Sequence, residues 1–173
     1  NPGDFIIGID LDGNSSSPGG EGVGKVINNN LAKYLNFGGL KSGMIFTPTG
    51  LPSNYAVTSL TLTTGNDAMG RDPATFSLWG TSDSITSTAN SAGAAETWAA
   101  ITLNEMIALP TSRNTVGPTV SFSNNSFYSS YRLVFPTLRY NAGCWYRSCM
   151  QIAELQLGAN LIAAPPSITI AAP

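Results

Sequence analysis

A chain of 173 residues with a formal net charge of −2 has no basic field to hold nucleic-acid phosphates or anionic lipid. It contains no histidine, which excludes a Ser-His-Asp triad, a Cys-His dyad and a His-ligated zinc site within it. Charged residues make up only 10%, against about 25% in an ordinary soluble domain, and Ser, Thr, Asn and Gly carry the polar load instead.

The length suits one domain with a sizeable core, burying about 70% of its unfolded surface without needing a disulfide. No apolar run approaches the roughly 20 residues of a membrane span. The first apolar segment, with Phe5, Ile7 and Ile9, is short and β-branched, and predicts a buried strand. Residues 10–21 follow as DLDGNSSSPGGE. Asp10, Asp12, Asn14, Ser16 and Glu21 nearly reproduce the ligand spacing of a helix–loop–helix calcium loop. The flanks are wrong for it. A strand lies upstream, the Gly- and Asn-rich GVGKVINNN downstream is a poor helix, and Ser15 stands where the sharp turn needs glycine. The stretch reads as a turn-rich polar loop, with a non-helical cation loop left open.

Short strands then succeed one another: MIFTP, AVTSLTLTT, ATFSLWGTS, WAAITL, TVSFSN, SSYRLVFPTL and MQIAELQLG, separated by Gly/Pro/Asn/Asp clusters. One helical turn is expected, over residues 103–109, ending before Pro110. Tyr131, Leu133 and Phe135 should face one way, and Arg132, Val134 and Pro136 the other. Met150, Ile152, Leu155 and Leu157 form an inward set that breaks alternation at Ala153-Glu154, where a bulge is expected. This spacing predicts a β-sandwich or barrel. Residues 158–173, rich in Pro and Ala, read as a tail or linker docked on this domain or on a neighbour.

Cys144 and Cys149 lie in GCWYRSCM. The pair reads as a disulfide closing a small loop in an oxidising compartment, with two reduced thiols as the alternative, and it cannot complete a zinc site alone. The sequons at Asn14 and Asn124 are compatible with an extracellular, glycosylated protein.

The order of these pieces resembles the discoidin, or coagulation factor 5/8 type C, superfamily. GKVINNNLAKYLNF is similar to its A-I-D-G-N-x-x-T-x-W segment. SLTLTTGNDAMGRDPATFSLWGTSD followed by TWAAI is similar to its strand, loop, strand, G-S-x-D turn and W-x-x-I. FSNNSFYSSYRLVF and MQIAELQL resemble its closing strands. The resemblance covers residues 5–157. It implies an all-β, jelly-roll β-sandwich with at most one or two short helical turns, acting as a non-catalytic binding module with ligands on loops at one end.

It also implies a structural calcium ion held near Asn28 and Asn30 with help from Glu154, although Asn28 replaces the family's Asp and the family's Thr has no counterpart. The competing reading is that Asn28, Asn29 and Asn30 simply make a turn, with Glu154 meeting an arginine or backbone amides. By the same resemblance Trp79 and Trp98 should be buried. Trp145 and Tyr146, in the loop between the cysteines, are candidates for a rigid aromatic platform, or for a cap on the sandwich's own end. Arg71, Asn66 and Asp67, on residues 64–72, match the polar ligand-binding types of sugar-binding relatives, and Asn36 lies near a further polar contact.

Two functions are therefore expected to compete. One is an extracellular, non-catalytic module that binds a glycan or polysaccharide. The other is a low-charge structural subunit that assembles with copies of itself into a fibre, sheath or surface layer, using SITI in its tail for strand addition. Deleting residues 165–173 and looking for polymers separates them. A glycosidase is the distant third, because no paired carboxylates are visible.

Overall fold

A computed structural model describes residues 1–140, 143–144 and 147–162. The strands are β1 (Phe5–Asp10), β2 (Tyr34–Asn36), β3 (Ser42–Thr47), β4 (Tyr55–Thr63), β5 (Thr75–Thr81), β6 (Ala99–Met106), β7 (Val120–Ser121), β8 (Ser130–Phe135), β9 (Gly143–Cys144), β10 (Arg147–Ser148), β11 (Met150–Ile152) and β12 (Glu154–Leu161). Helical structure among the described residues is confined to two 3-10 turns, Val23–Ile27 and Met69–Arg71.

A five-stranded sheet in the order β1-β3-β8-β5-β6 packs on a three-stranded sheet in the order β12-β4-β7, with β11-β2 as a separate pair. All pairings are antiparallel. The alternation read from β8 holds: Tyr131, Leu133 and Phe135 enter the core between the sheets, with Phe76, Leu78, Leu60 and Leu62, while Val134 joins a second apolar cluster with Ile9 and Ile45. The fold is the expected all-β sandwich.

Three local expectations are corrected. Residues 103–109 form no helical turn. Through Met106 they belong to β6, where Thr102 pairs with Leu78 and Glu105 with Phe76, so one extra residue is inserted. Asn104 takes a positive φ of 57° there and donates its amide to Ser77 Oγ at 2.9 Å. That insertion gives Leu103, Met106 and Ile107 a helix-like spacing. At Ala153 the chain does not bulge within one sheet. It leaves β2, the partner of β11, and joins β4, the partner of β12. Finally, β12 continues past Leu157 to Leu161, so residues 158–161 extend the sandwich. The remainder of the expected tail, residues 163–173 with SITI, lies outside the described residues.

The outer face of the five-stranded sheet is covered by the chain's own residues 82–98. Arg132 rises from β8 between two tryptophans, its guanidinium carbon 4.6 Å from the Trp79 ring centre and 5.0 Å from that of Trp98. Both rings are half-buried rather than fully buried. Gly93 closes the assembly: its carbonyl accepts hydrogen bonds from Trp98 Nε1 and Arg132 Nη1, each at 3.0 Å. A side chain at Gly93 would press on Ile9 and Ile45.

Glu96 fastens this segment by accepting bonds from the Thr86 and Ser87 amides at 2.6 and 2.7 Å and from Ser87 Oγ at 2.7 Å. Burial pushes its carboxyl up, but these bonds outweigh burial and hold it below its usual range. A carboxyl depressed in the folded state contributes stability above its unfolded pKa and loses it as pH falls through the folded one. Glu96→Gln is therefore expected to cost about 2 kcal/mol at neutral pH. Denaturant titrations between about pH 5 and 3 should show a shallower loss in the variant than in the wild type, and equal slopes would remove Glu96 from the acid response.

Candidate functional site

At one end of the sandwich, residues 64–72 connect β4 to β5, and the chain holds them with side chains from distant segments. The loop leaves β4 with the Thr64 hydroxyl bonded to Ser112 O at 2.9 Å. Gln151 Nε2 donates to Asp67 O at 2.7 Å, and Arg113 Nη1 donates to the same carbonyl at 2.9 Å. Arg113 also forms a bidentate pair with Asp72, at 2.9 and 2.6 Å, and Asp72 is fully buried. These braces hold Ala68 at a φ of 20°, a strained value for a residue with a side chain.

Asp67 sits at the crest. Lys33, itself buried, donates to Asp67 Oδ2 at 2.7 Å, with Glu21 3.8 Å away on its other side. Arg71 Nη1 lies 3.8 Å from the same Asp67 oxygen. Burial raises the Asp67 carboxyl, but the Lys33 bond and charge and then the Arg71 charge bring it below its ordinary value. Asp67 is thus ionised, half exposed and fixed in direction, with Asn66 exposed beside it.

The residues 138–140 run along the same loop, with Arg139 N bonded to Asp72 O at 2.9 Å and Tyr140 N to Gly70 O at 3.2 Å. Tyr140, 66% exposed, is the most exposed aromatic among the described residues. Beyond it, β9 and β10 pair as a hairpin, Cys144 and Cys149 are disulfide-bonded, and Gln151 follows at once. Tyr140 on one side of the hairpin and Gln151 on the other both bond to the loop. Trp145 and Tyr146, between the cysteines, lie outside the described residues.

The structure brings Asn66, Asp67 and Arg71 together as the sequence suggests. It places Asn36 elsewhere. Asn36 is fully buried, with Nδ2 within hydrogen-bond distance of Ile9 O, Ser15 Oγ and Tyr34 Oη, among which it shares its two hydrogens, and Oδ1 accepting from Gly38 N. Its amide ties β2 to β1, so it is withdrawn as a ligand contact. Lys33, Arg113, Gln151 and Tyr140 were not singled out by the sequence reading. Only Tyr140, an aromatic between Arg139 and Asn141, carries a local signal.

The architecture has clear relatives among solved structures. A family 32 carbohydrate-binding module from Clostridium perfringens, solved with GalNAc-β-1,3-galactose, matches with a TM-score of 0.58 at 14% identity, over 89% of this chain and 94% of that one. A family 62 module from Clostridium thermocellum Xyl5A gives 0.56 at 16%, over 92% and 96%. A chitosan-binding module from a Paenibacillus chitosanase/glucanase gives 0.53 at 8%, over 90% and 94%. The chain shares its β-sandwich fold with these modules. No protein-family model and no curated protein matches its sequence. At these identities the likeness establishes the β-sandwich, and the ligand must be argued from the site's own chemistry.

The calcium donors expected from the sequence are Asn28, Asn30 and Glu154, and one oxygen of each already accepts a hydrogen bond. Glu154 accepts the Asn30 amide at 2.8 Å, Asn28 Oδ1 accepts the same amide at 3.1 Å, and Asn30 Oδ1 accepts the Ala32 amide at 2.8 Å. Asn29 turns the loop with a φ of 59°. Burial holds the Glu154 carboxyl above its usual range, and the Asn30 and Asn29 amides offset only part of that. Calcium needs six to eight converging oxygens, usually with several carboxylates. Here N–H groups converge on one carboxylate, so the residues fit a loop latch and not a calcium ion. This is the turn-and-amide alternative read from the sequence.

The two sequons also differ. Asn14 is exposed. Asn124 has its Nδ2, the atom a glycan would occupy, donating to Val57 O at 3.1 Å.

Proposed function

We propose that the chain is an extracellular, non-catalytic carbohydrate-binding module that holds its ligand at the loop end carrying Asp67. The observation behind this reading is the fixed, ionised Asp67 with exposed Asn66 beside it and exposed Tyr140 on the adjoining segment. A carboxylate and an amide accept from and donate to neighbouring sugar hydroxyls, and an aromatic face takes the C–H face of a ring. Because Lys33, Arg113 and Gln151 hold the loop before any ligand arrives, little ordering cost remains at binding.

The same geometry favours binding over hydrolysis. A glycosidase needs two working carboxylates about 5–10 Å apart, whereas here the Asp72 carboxyl is buried and committed to Arg113, and Asp67 and Glu21 both face the one Lys33 ammonium. The disulfide supports the extracellular setting.

A glycan array followed by titration calorimetry tests the reading. The wild type should bind at least one sugar, and Asp67→Ala should weaken it by at least tenfold, about 1.4 kcal/mol, at an unchanged circular-dichroism spectrum. A folded wild type that binds no glycan, or an Asp67→Ala variant that binds as well as wild type, sinks it.

A further inference from the structure

The two outer faces of the sandwich are treated differently. The five-stranded sheet is roofed by residues 82–98, but the three-stranded sheet has no such roof among the described residues. Across its outer face the registers align Gly158, Ser59 and Ser121 in one row and Gln156 and Thr61 in the next. The Thr61 hydroxyl meets that of Thr119 at 2.7 Å. These two rows carry hydroxyls and an amide around the bare Gly158.

At the Gly158 row the face sinks into a groove of about 730 Å³ lined by Ser59, Ser121, Phe122, Asn125, Gly158 and Asn160, among others, none of them ionisable. A Cβ at Gly158 would push the Ser59 hydroxyl aside, and the bare backbone of Gly158 deepens the floor. The chain breaks register between Gly158 and Ala159, which bends the strand at that point. One wall is rigid: Asn124 donates to Val57 O at 3.1 Å and accepts from Ser126 N at 3.0 Å. Phe122 is steadied by Phe76, with ring centres 5.9 Å apart edge to face. The groove shares Ser59, Gly158 and Ala159 with a second depression of about 860 Å³, which continues past Thr61 and Gln156 toward Asn29 and Glu154.

The geometry points to a second binding site on this face, taking an internal stretch of a neutral polysaccharide chain. It rests on the glycan reading only for the class of ligand, and it uses none of the loop-end residues. The uncharged lining of the groove at Gly158 disfavours a charged group there, which would be desolvated without a partner, and the ionisable Asp4 and Glu154 line only the second depression. The density of hydroxyl and amide groups suits a polyhydroxylated ligand, and the flanking aromatic offers a C–H contact. The continuous track suits a chain, where the loop end suits one or two sugar units.

Native affinity electrophoresis of the full chain in galactomannan, xyloglucan and mixed-linkage β-glucan tests the proposal, with galactose calorimetry on the same samples reporting the loop end. Ser121→Arg fills the groove, and the double variant Asn125→Ala, Asn160→Ala strips its amides. All three positions are surface sites, so equal melting temperatures are expected. The wild type should be retarded by at least one polymer. Both groove variants should bind that polymer at least tenfold more weakly while keeping any galactose affinity, and Asp67→Ala should still be retarded. Unchanged retardation of the groove variants, loss of retardation in Asp67→Ala alone, or no retardation of the wild type overturns the groove. In each of those cases galactose binding that depends on Asp67 leaves the loop-end reading standing.

Discussion

Asp72→Ala is expected to destabilise the domain by about 3–5 kcal/mol and to abolish binding at the loop end with it. Asp72 is fully buried and grips Arg113 through both carboxylate oxygens. Removing it leaves a guanidinium that is only 21% exposed without its anion, and the cost of an uncompensated buried charge exceeds the net worth of the pair itself. The same arginine holds the Asp67 carbonyl, so the crest of the loop should relax together with its base. Urea denaturation gives the stability, and a cycle with Arg113→Ala isolates the coupling. A loss below about 1 kcal/mol would place the pair with ordinary surface ion pairs and remove the claim that the loop is pre-formed by it.

Gly43→Ala should be at least as damaging, for a reason unrelated to charge. A Cβ on Gly43 would overlap the carbonyl oxygen of Leu133 and come within 2.8 Å of Val134 Cα. Both atoms are backbone, and neither can swing aside. Strand β3 lies between β1 and β8, with Gly43 facing Ile9 on one side and Val134 on the other. Opening the β3–β8 spacing would strain both ladders and the apolar cluster of Ile9, Ile45 and Val134. The cost should exceed the roughly 1–3 kcal/mol of ordinary overpacking, a large part of the 5–15 kcal/mol typical of a domain. Gly24→Ala, where a Cβ meets nothing within 4 Å, is the matched control. A Gly43→Ala protein with a wild-type denaturation midpoint would show that the sheet yields there.

The architecture was readable where side-chain alternation is local. In β8, Tyr131, Leu133 and Phe135 declare the core side by themselves. Alternation misled where the backbone departs from a regular ladder, since the inserted residue near Asn104 gave β6 a helix-like spacing. The change of sheet at Ala153 looked like a bulge because both events break the same pattern. The family resemblance, by residue type, pointed to Asn66, Asp67 and Arg71, which the structure places on one loop. The rigidity of that loop was not readable, because Lys33, Arg113 and Gln151 reach Asp67 from 34, 46 and 84 residues away. Asn36 shows the converse: a polar side chain in a short strand can be an internal tie, and composition cannot tell that from an exposed contact.

The roof formed by residues 82–98 also sets how the molecule meets anything larger than itself. With Trp79, Arg132 and Trp98 stacked beneath its own chain, the five-stranded side presents a thick, irregular back. The three-stranded side is the one left uncovered among the described residues. If the groove there takes a polymer chain, the domain meets an extended lattice with its three-stranded side. That orientation keeps β12, the end strand of its sheet, close to the lattice surface.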